Sequence, residues 1–239
     1  MDLYVPTSWE ELSQEQLHTV TALKCALEPD RARVYAFLAL SGLRVVDNGD
    51  ETHCIVALGG KPYRITRNTL TLGAEEMRFL DTPPAVPLRY DSVEGQDAPD
   101  AALHGFPFGR YIEADALFNA YLLSKGQNKE LALKLVAALY GGVWVKDMER
   151  EGEYIYMVVQ WWSGLKTYLA TQFTNLFRPT GGEAPDPEDL HSLMLSQVRA
   201  LTDGDVTKEE AVLNVDTWSA LGELDAKARE AEELRRLRP

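Results

Sequence analysis

Residues 153–177 read EYIYMVVQWWSGLKTYLATQFTNLF, and this stretch decides the fold class. Val158, Trp161, Trp162, Leu165, Leu169, Phe173 and Leu176 recur at steps of three and four, so a helix gathers all seven on one wide face. Fully burying one large apolar side chain contributes roughly 1.5–3 kcal/mol, so such a face is predicted to be the centre of a helical core. At this spacing Trp161 and Trp162 are expected to pack rather than to stack on a ligand. Upstream, residues 129–140 carry Leu131, Leu135 and Leu139 on one stripe, with Leu133, Val136 and Ala137 opposite, the pattern of a buried helix. Residues 113–123, with Phe118, Tyr121 and Leu122, predict another helix.

Working outward, the first forty residues also read as helices. Ser8 with Glu11 and Ser13 with Gln16 both match the capping box, in which a hydroxyl takes an orphan N–H and a later side chain reaches back. Pro29 is expected to stop the helix begun at Gln14, and Asp30 to cap a second one through Leu40. Residues 43–72 change character. Val45-Val46, a turn at 47–50 containing Asn48-Gly49, residues 53–58, Gly59-Gly60 and residues 63–66 predict a small antiparallel β element. A short helix is expected over 74–80.

Residues 82–107 hold five of the twelve prolines and read as a loop or linker. A shorter breaker covers 179–188. Beyond it, Leu190, Leu193, Met194, Val198 and Leu201 predict an amphipathic helix, Asp203-Gly204-Asp205 a turn, and Thr207 the cap of a short helix through Leu213. From Asp216 a stripe of Trp218, Leu221, Leu224, Ala228, Ala231 and Leu234 predicts a last helix. Acidic-before-basic pairs (Glu223 with Lys227, Asp225 with Arg229, Glu232 with Arg236) and the basic end, Arg235 to Arg238, support it. The expected organisation is thus 1–81, N-terminal helices with a β-hairpin element; 82–107, a Pro-rich loop or linker; 108–178, an apolar helical core; 179–188, a breaker; 189–239, C-terminal helices. The fold class is mainly α, a helical domain with a small three-strand antiparallel insertion.

Composition narrows the function classes. In 239 residues, 37 acidic side chains oppose 24 basic ones for a net charge of −13, which disfavours nucleic acid and anionic membrane surfaces as partners. Lys61, Arg64 and Arg67 form a small basic patch expected to pair with local carboxylates. No run approaches the ~18 apolar residues of a membrane span. No signal peptide is read at the N-terminus, and Cys25 and Cys54 are expected to be free thiols, so the cytoplasm is the expected location. His18, His53, His104 and His191 are scattered outside any ligand spacing, so no metal or cofactor is expected. The string 105–111 (GFPFGRY) has two readings: a loop presenting Phe106, Phe108 and Arg110 to a ligand, or a hydrophobic anchor pinning the long loop to the core, which is favoured.

Residues 6–13 (PTSWEELS), and the closing pattern 201–208 (LTDGDVTK) followed by Val212-Leu213 and 218–224 (WSALGEL), resemble the ends of small proteins encoded in tail-gene clusters of bacterial prophages. The resemblance implies a phage-derived, mostly helical assembly or accessory protein, and it carries over no catalytic residue. The expected function is therefore a non-enzymatic interaction protein in virion or tail assembly. Its contacts with a protein partner, or with its own copy, are expected at Phe106, Phe108, Arg110, Trp218, Leu221 and Leu224. The alternative is an enzyme whose site assembles around His104 and Arg110.

Overall fold

The computed structural model describes residues 5–178 and 187–237, and for 187–194 the backbone alone. Residues 179–186 of the breaker expected at 179–188, the side chains of Leu190, His191, Leu193 and Met194, and Arg238 lie outside the described residues; residues 187 and 188 already belong to a helix. The chain divides into two compact units, one built from residues up to Pro84 with Glu149–Met157, the other from Ala85–Met148 with Val158 onward. The described residues are mainly α-helical, with nine α-helices, one three-stranded and one two-stranded sheet.

In the first unit, α1 (Gln14–Ala26) opens on the expected capping box: Gln16 N–H donates to Ser13 Oγ at 3.3 Å, and Ser13 N–H to Gln16 Oε1 at 2.9 Å. The box expected at Ser8 does not form. Glu11 instead accepts the Thr7 N–H at 2.7 Å, and Trp9–Glu11 closes as a single 3-10 turn. Pro29 begins α2 (Pro29–Leu40) rather than merely ending α1, because the first helical residue has no N–H partner to lose; Glu28, not Asp30, is its N-cap residue. Strands β1 (Arg44–Asp47), β2 (His53–Leu58) and β3 (Lys61–Thr66) pair antiparallel in that order. Val56 lies opposite both Val45 and Tyr63, and Cys54 opposite Ile65. Cys54 and Val56 are buried, which sets the core side of the sheet.

The loop between β1 and β2 is organised by Asp50, whose Oδ1 accepts from Thr52 N–H (2.8 Å), Thr52 Oγ1 (2.7 Å) and His53 N–H (2.7 Å). These bonds hold the Asp50 carboxyl far below the usual carboxylate range. Arg64 pairs with Asp50 Oδ2 at 3.1 Å, and Arg67 donates to the Asn48 and Asp50 carbonyls. The basic patch is thus partly consumed locally. The helix expected at 74–80 starts earlier, as α3 (Arg67–Glu76), because the Thr66 hydroxyl accepts the Thr69 N–H at 3.2 Å and caps it; Met77–Asp81 follows as a 3-10 turn.

In the second unit, Glu94 (φ +49°) and Gly95 (φ +77°) form the two-residue turn of a short hairpin, β4 (Ser92–Val93) with β5 (Gln96–Asp97). Tyr90, Val93, Leu103 and Phe106 are buried, so the Pro-rich segment is a packed loop here. Helix α4 (Phe108–Leu123) begins five residues earlier than its apolar stripe suggested, and α5 (Lys129–Leu139) buries Ala132, Leu135, Val136 and Leu139. Helix α6 (Glu151–Gln172) contributes its first residues to the first unit and the rest to the second. Trp161, Trp162, Leu165 and Leu169 on it are completely buried. Then come α7 (Pro187–Thr202), α8 (Glu209–Leu213) and α9 (Thr217–Leu237). Asp205, rather than Thr207, caps the 3-10 turn before α8, accepting the Thr207 N–H at 3.1 Å and its hydroxyl at 2.6 Å.

Candidate functional site

The residues singled out at 104–110 and at 216–224 are brought together within the second unit. Asp100 organises a tight turn, its Oδ1 accepting from Ala102 N–H (3.0 Å) and His104 N–H (3.1 Å), with His104 Nδ1 at 2.9 Å from the same oxygen. Two indoles hold this turn from either side: Trp161 Nε1 donates to the Ala101 carbonyl at 2.8 Å and Trp218 Nε1 to that of Ala102 at 2.7 Å. The chain then runs antiparallel to 215–217. Gly105 N–H donates to Asp216 Oδ1 (2.6 Å), Phe108 N–H to the Val215 carbonyl (2.8 Å), and Thr217 gives both its N–H (2.8 Å) and its hydroxyl (2.6 Å) to the Phe106 carbonyl. Asp216 also accepts the Ser219 N–H at 3.1 Å, which starts α9.

On the exposed side of this joint, the His104 ring stacks on Trp218 with centroids 4.4 Å apart and planes 11° from parallel. Burial pushes the Asp100 carboxyl up, but the hydrogen bonds from the His104 ring, His104 N–H and Ala102 N–H outweigh it and hold the group below the usual carboxylate range. The result is an imidazole oriented by a carboxylate and fixed in plane by an indole, an arrangement able to relay a proton.

The other predicted contact residues are placed differently. Phe106 and Phe108 are buried, as an anchor of the loop requires. Arg110 donates to the Ala138 carbonyl near the end of α5, with its guanidinium 5.0 Å above the Phe106 ring. A groove of about 380 Å³ beside it is lined by Arg110, Glu113, Leu117, Lys134, Ala137 and Ala138, along with Gly142. His104 and Arg110 therefore serve different partners. Leu221 and Leu224 are buried within their own unit; further along α9, Leu234 and Leu237 are 62% and 79% exposed. Asp225 accepts Asn175 N–H (2.7 Å), Leu176 N–H (2.9 Å) and Asn175 Nδ2 (2.9 Å), while its expected partner Arg229 acts on it only electrostatically.

Sequence reasoning passed over Trp144 and Met148, each 81% exposed between α5 and α6. The available signal was an apolar stretch, Val143 to Val145, standing between Gly141-Gly142 and a charged run with no helical stripe to join. Cys25 is an exposed residue whose thiol is turned onto the Gly152 carbonyl (3.6 Å); burial there, with Glu153 nearby, pushes it up to about 11. Cys54 is buried and free. Among the described residues, no group of three or more His, Cys, Asp or Glu is arranged to hold a metal, and no helix is long and apolar enough to cross a membrane. No protein-family model, no curated protein and no solved structure matches this chain.

Proposed function

We propose that the chain is a non-enzymatic interaction protein of phage origin, a virion or tail assembly or accessory factor acting in the cytoplasm of the bacterial host. The observation that carries this reading is the loop after α5, where Trp144 and Met148 stand 81% exposed while Trp161 and Trp162 are completely buried. Tryptophan is among the residue types most enriched at the energetic centres of protein interfaces, and methionine adapts its unbranched side chain to irregular grooves. The partner is a protein whose apolar pocket takes the indole. The phage assignment rests on the resemblance at 6–13 and 201–224. Trp144→Ala with Met148→Ala tests the contact. The wild type is expected to capture a structural protein encoded beside it, and the double variant to lose that capture with an unchanged circular dichroism spectrum. A wild type that stays monomeric and binds none of those proteins would overturn the proposal.

The 2.9 Å His104–Asp100 contact favours a second reading, an enzyme in which His104 acts as general base without Arg110. Equal hydrolysis of p-nitrophenyl acetate by the wild type and His104→Asn would remove it.

A further inference from the structure

In the first unit, α1 and the segment that begins α6 meet through two basic side chains. One Arg150 guanidinium nitrogen lies 2.8 Å from His18 Nδ1. A guanidinium has donors only, so Nδ1 is the acceptor and the imidazole is neutral, its proton on Nε2. Arg150 also sits 5.0 Å over the Tyr154 ring and pairs with Glu153 at 3.5 Å, so it has other partners.

We propose that His18 and Arg150 form a pH-sensitive latch: near neutrality the uncharged imidazole ties Glu149–Met157 to α1, and acidification breaks the tie. A proton added at Nδ1 replaces the lone pair that accepts the bond and sets two positive charges face to face. Burial lowers the affinity of His18 for that proton, and the Arg150 charge lowers it further. The charged groups nearest along the two packed elements are Glu15 on α1, one turn before His18, and Glu151 and Glu153 at the start of α6; Arg150 is the charge that bears on the ring. The sign follows. The unfolded chain protonates His18 before the folded chain does, so the contribution is complete above about pH 6.5 and is lost as pH falls below it. The proposal is independent of the assembly function.

Amide exchange of the intact chain, measured by mass spectrometry and corrected for intrinsic rates, tests the latch. Residues 149–157 are expected to lose protection several-fold between about pH 7.5 and about pH 5.5, and His18→Gln to flatten that dependence while His53→Gln leaves it intact. Unchanged protection of the wild type across this range, or an undiminished response in His18→Gln, would overturn the latch. Should His18→Gln fold poorly, the nuclear magnetic resonance titration of His18 supplies the same decision. Replacing Arg150 with Gln is expected to raise its midpoint, and an unmoved midpoint refutes the contact.

Discussion

Asp225 offers the most exacting check on how α9 is held. Its carboxylate takes two backbone N–H groups, of Asn175 and Leu176, and the Asn175 amide, at 2.7–2.9 Å. Without it, the turn that follows α6 loses three donors' common acceptor. Hydrogen bonds to a charged group contribute about 1.5–3 kcal/mol each, but two of these share one oxygen and water reaches the half-buried site, so Asp225→Ala is expected to cost about 2–3 kcal/mol in all. Asp225→Asn keeps one acceptor oxygen but turns an amide toward the Asn175 amide, for an expected loss of about 1 kcal/mol. Burial raises the Asp225 carboxyl, yet the bonds from Asn175 and Leu176, with Arg229 nearby, hold it below its ordinary value. Its contribution is therefore present above about pH 4 and lost as pH falls through the depressed folded value. Urea unfolding followed by tryptophan fluorescence reads the second unit through Trp161, Trp162 and Trp218. The deficit of Asp225→Ala should be full at neutral pH and shrink under acid. A deficit below about 0.5 kcal/mol at pH 7, or one of equal size at about pH 3, would refute the account of this carboxylate as a cap.

Gly73 on α3 faces Phe37 so closely that an added Cβ meets the ring at 2.4–2.6 Å; Gly73→Ala is therefore expected to destabilise by about 1–3 kcal/mol in thermal melts, against the gain helix propensity alone predicts. Leu221→Ala and Leu234→Ala separate the two halves of α9: the first should cost about 2–5 kcal/mol, the second less than about 0.5, and equal losses would show that the exposed half is packed. Leu165→Asp places an unpaired charge at a completely buried position and should abolish the cooperative melt of the second unit; an unchanged melting temperature would make α6 peripheral.

The helical core was legible because its signal is periodic. The apolar face running from Val158 to Leu169 and the stripe of α5 need no partner to be recognised, although α6 ends at Gln172, ahead of Phe173 and Leu176. Asn48-Gly49 announces the β1–β2 hairpin, but only Gly49 takes a positive φ (+61°), and residues 48–52 form a longer loop held by Asp50 rather than a tight turn. Starts were harder, since a cap is decided by which acceptor reaches an N–H first. Thr66 opened α3 ahead of its apolar residues, and Asp205 displaced Thr207. The joint at 100–108 was hidden for a different reason. Its bonds run to residues some 111 positions away, and a carbonyl that will accept a distant indole leaves no mark on local spacing. Trp218 was expected on a contact face, but its stacking on His104 and its bond to Ala102 became visible only with the chain folded.

The interleaved make-up of the two units governs the order in which the chain can be finished during synthesis. The first unit takes Glu149–Met157 as its own, so everything through Met157 must leave the ribosome before it is complete. At about 5–20 residues per second that is a wait of several seconds, during which α1 lacks the segment that meets its His18, Lys24 and Cys25. The second unit waits longer still, because the Phe106 carbonyl gains its donors only when Thr217 emerges. An N-terminal fragment stopped at Pro84 is thus expected to engage chaperones or aggregate rather than persist as a stable domain. Pausing translation once residue 157 has cleared the ribosome, by contrast, should expose the first unit as a protease-resistant intermediate.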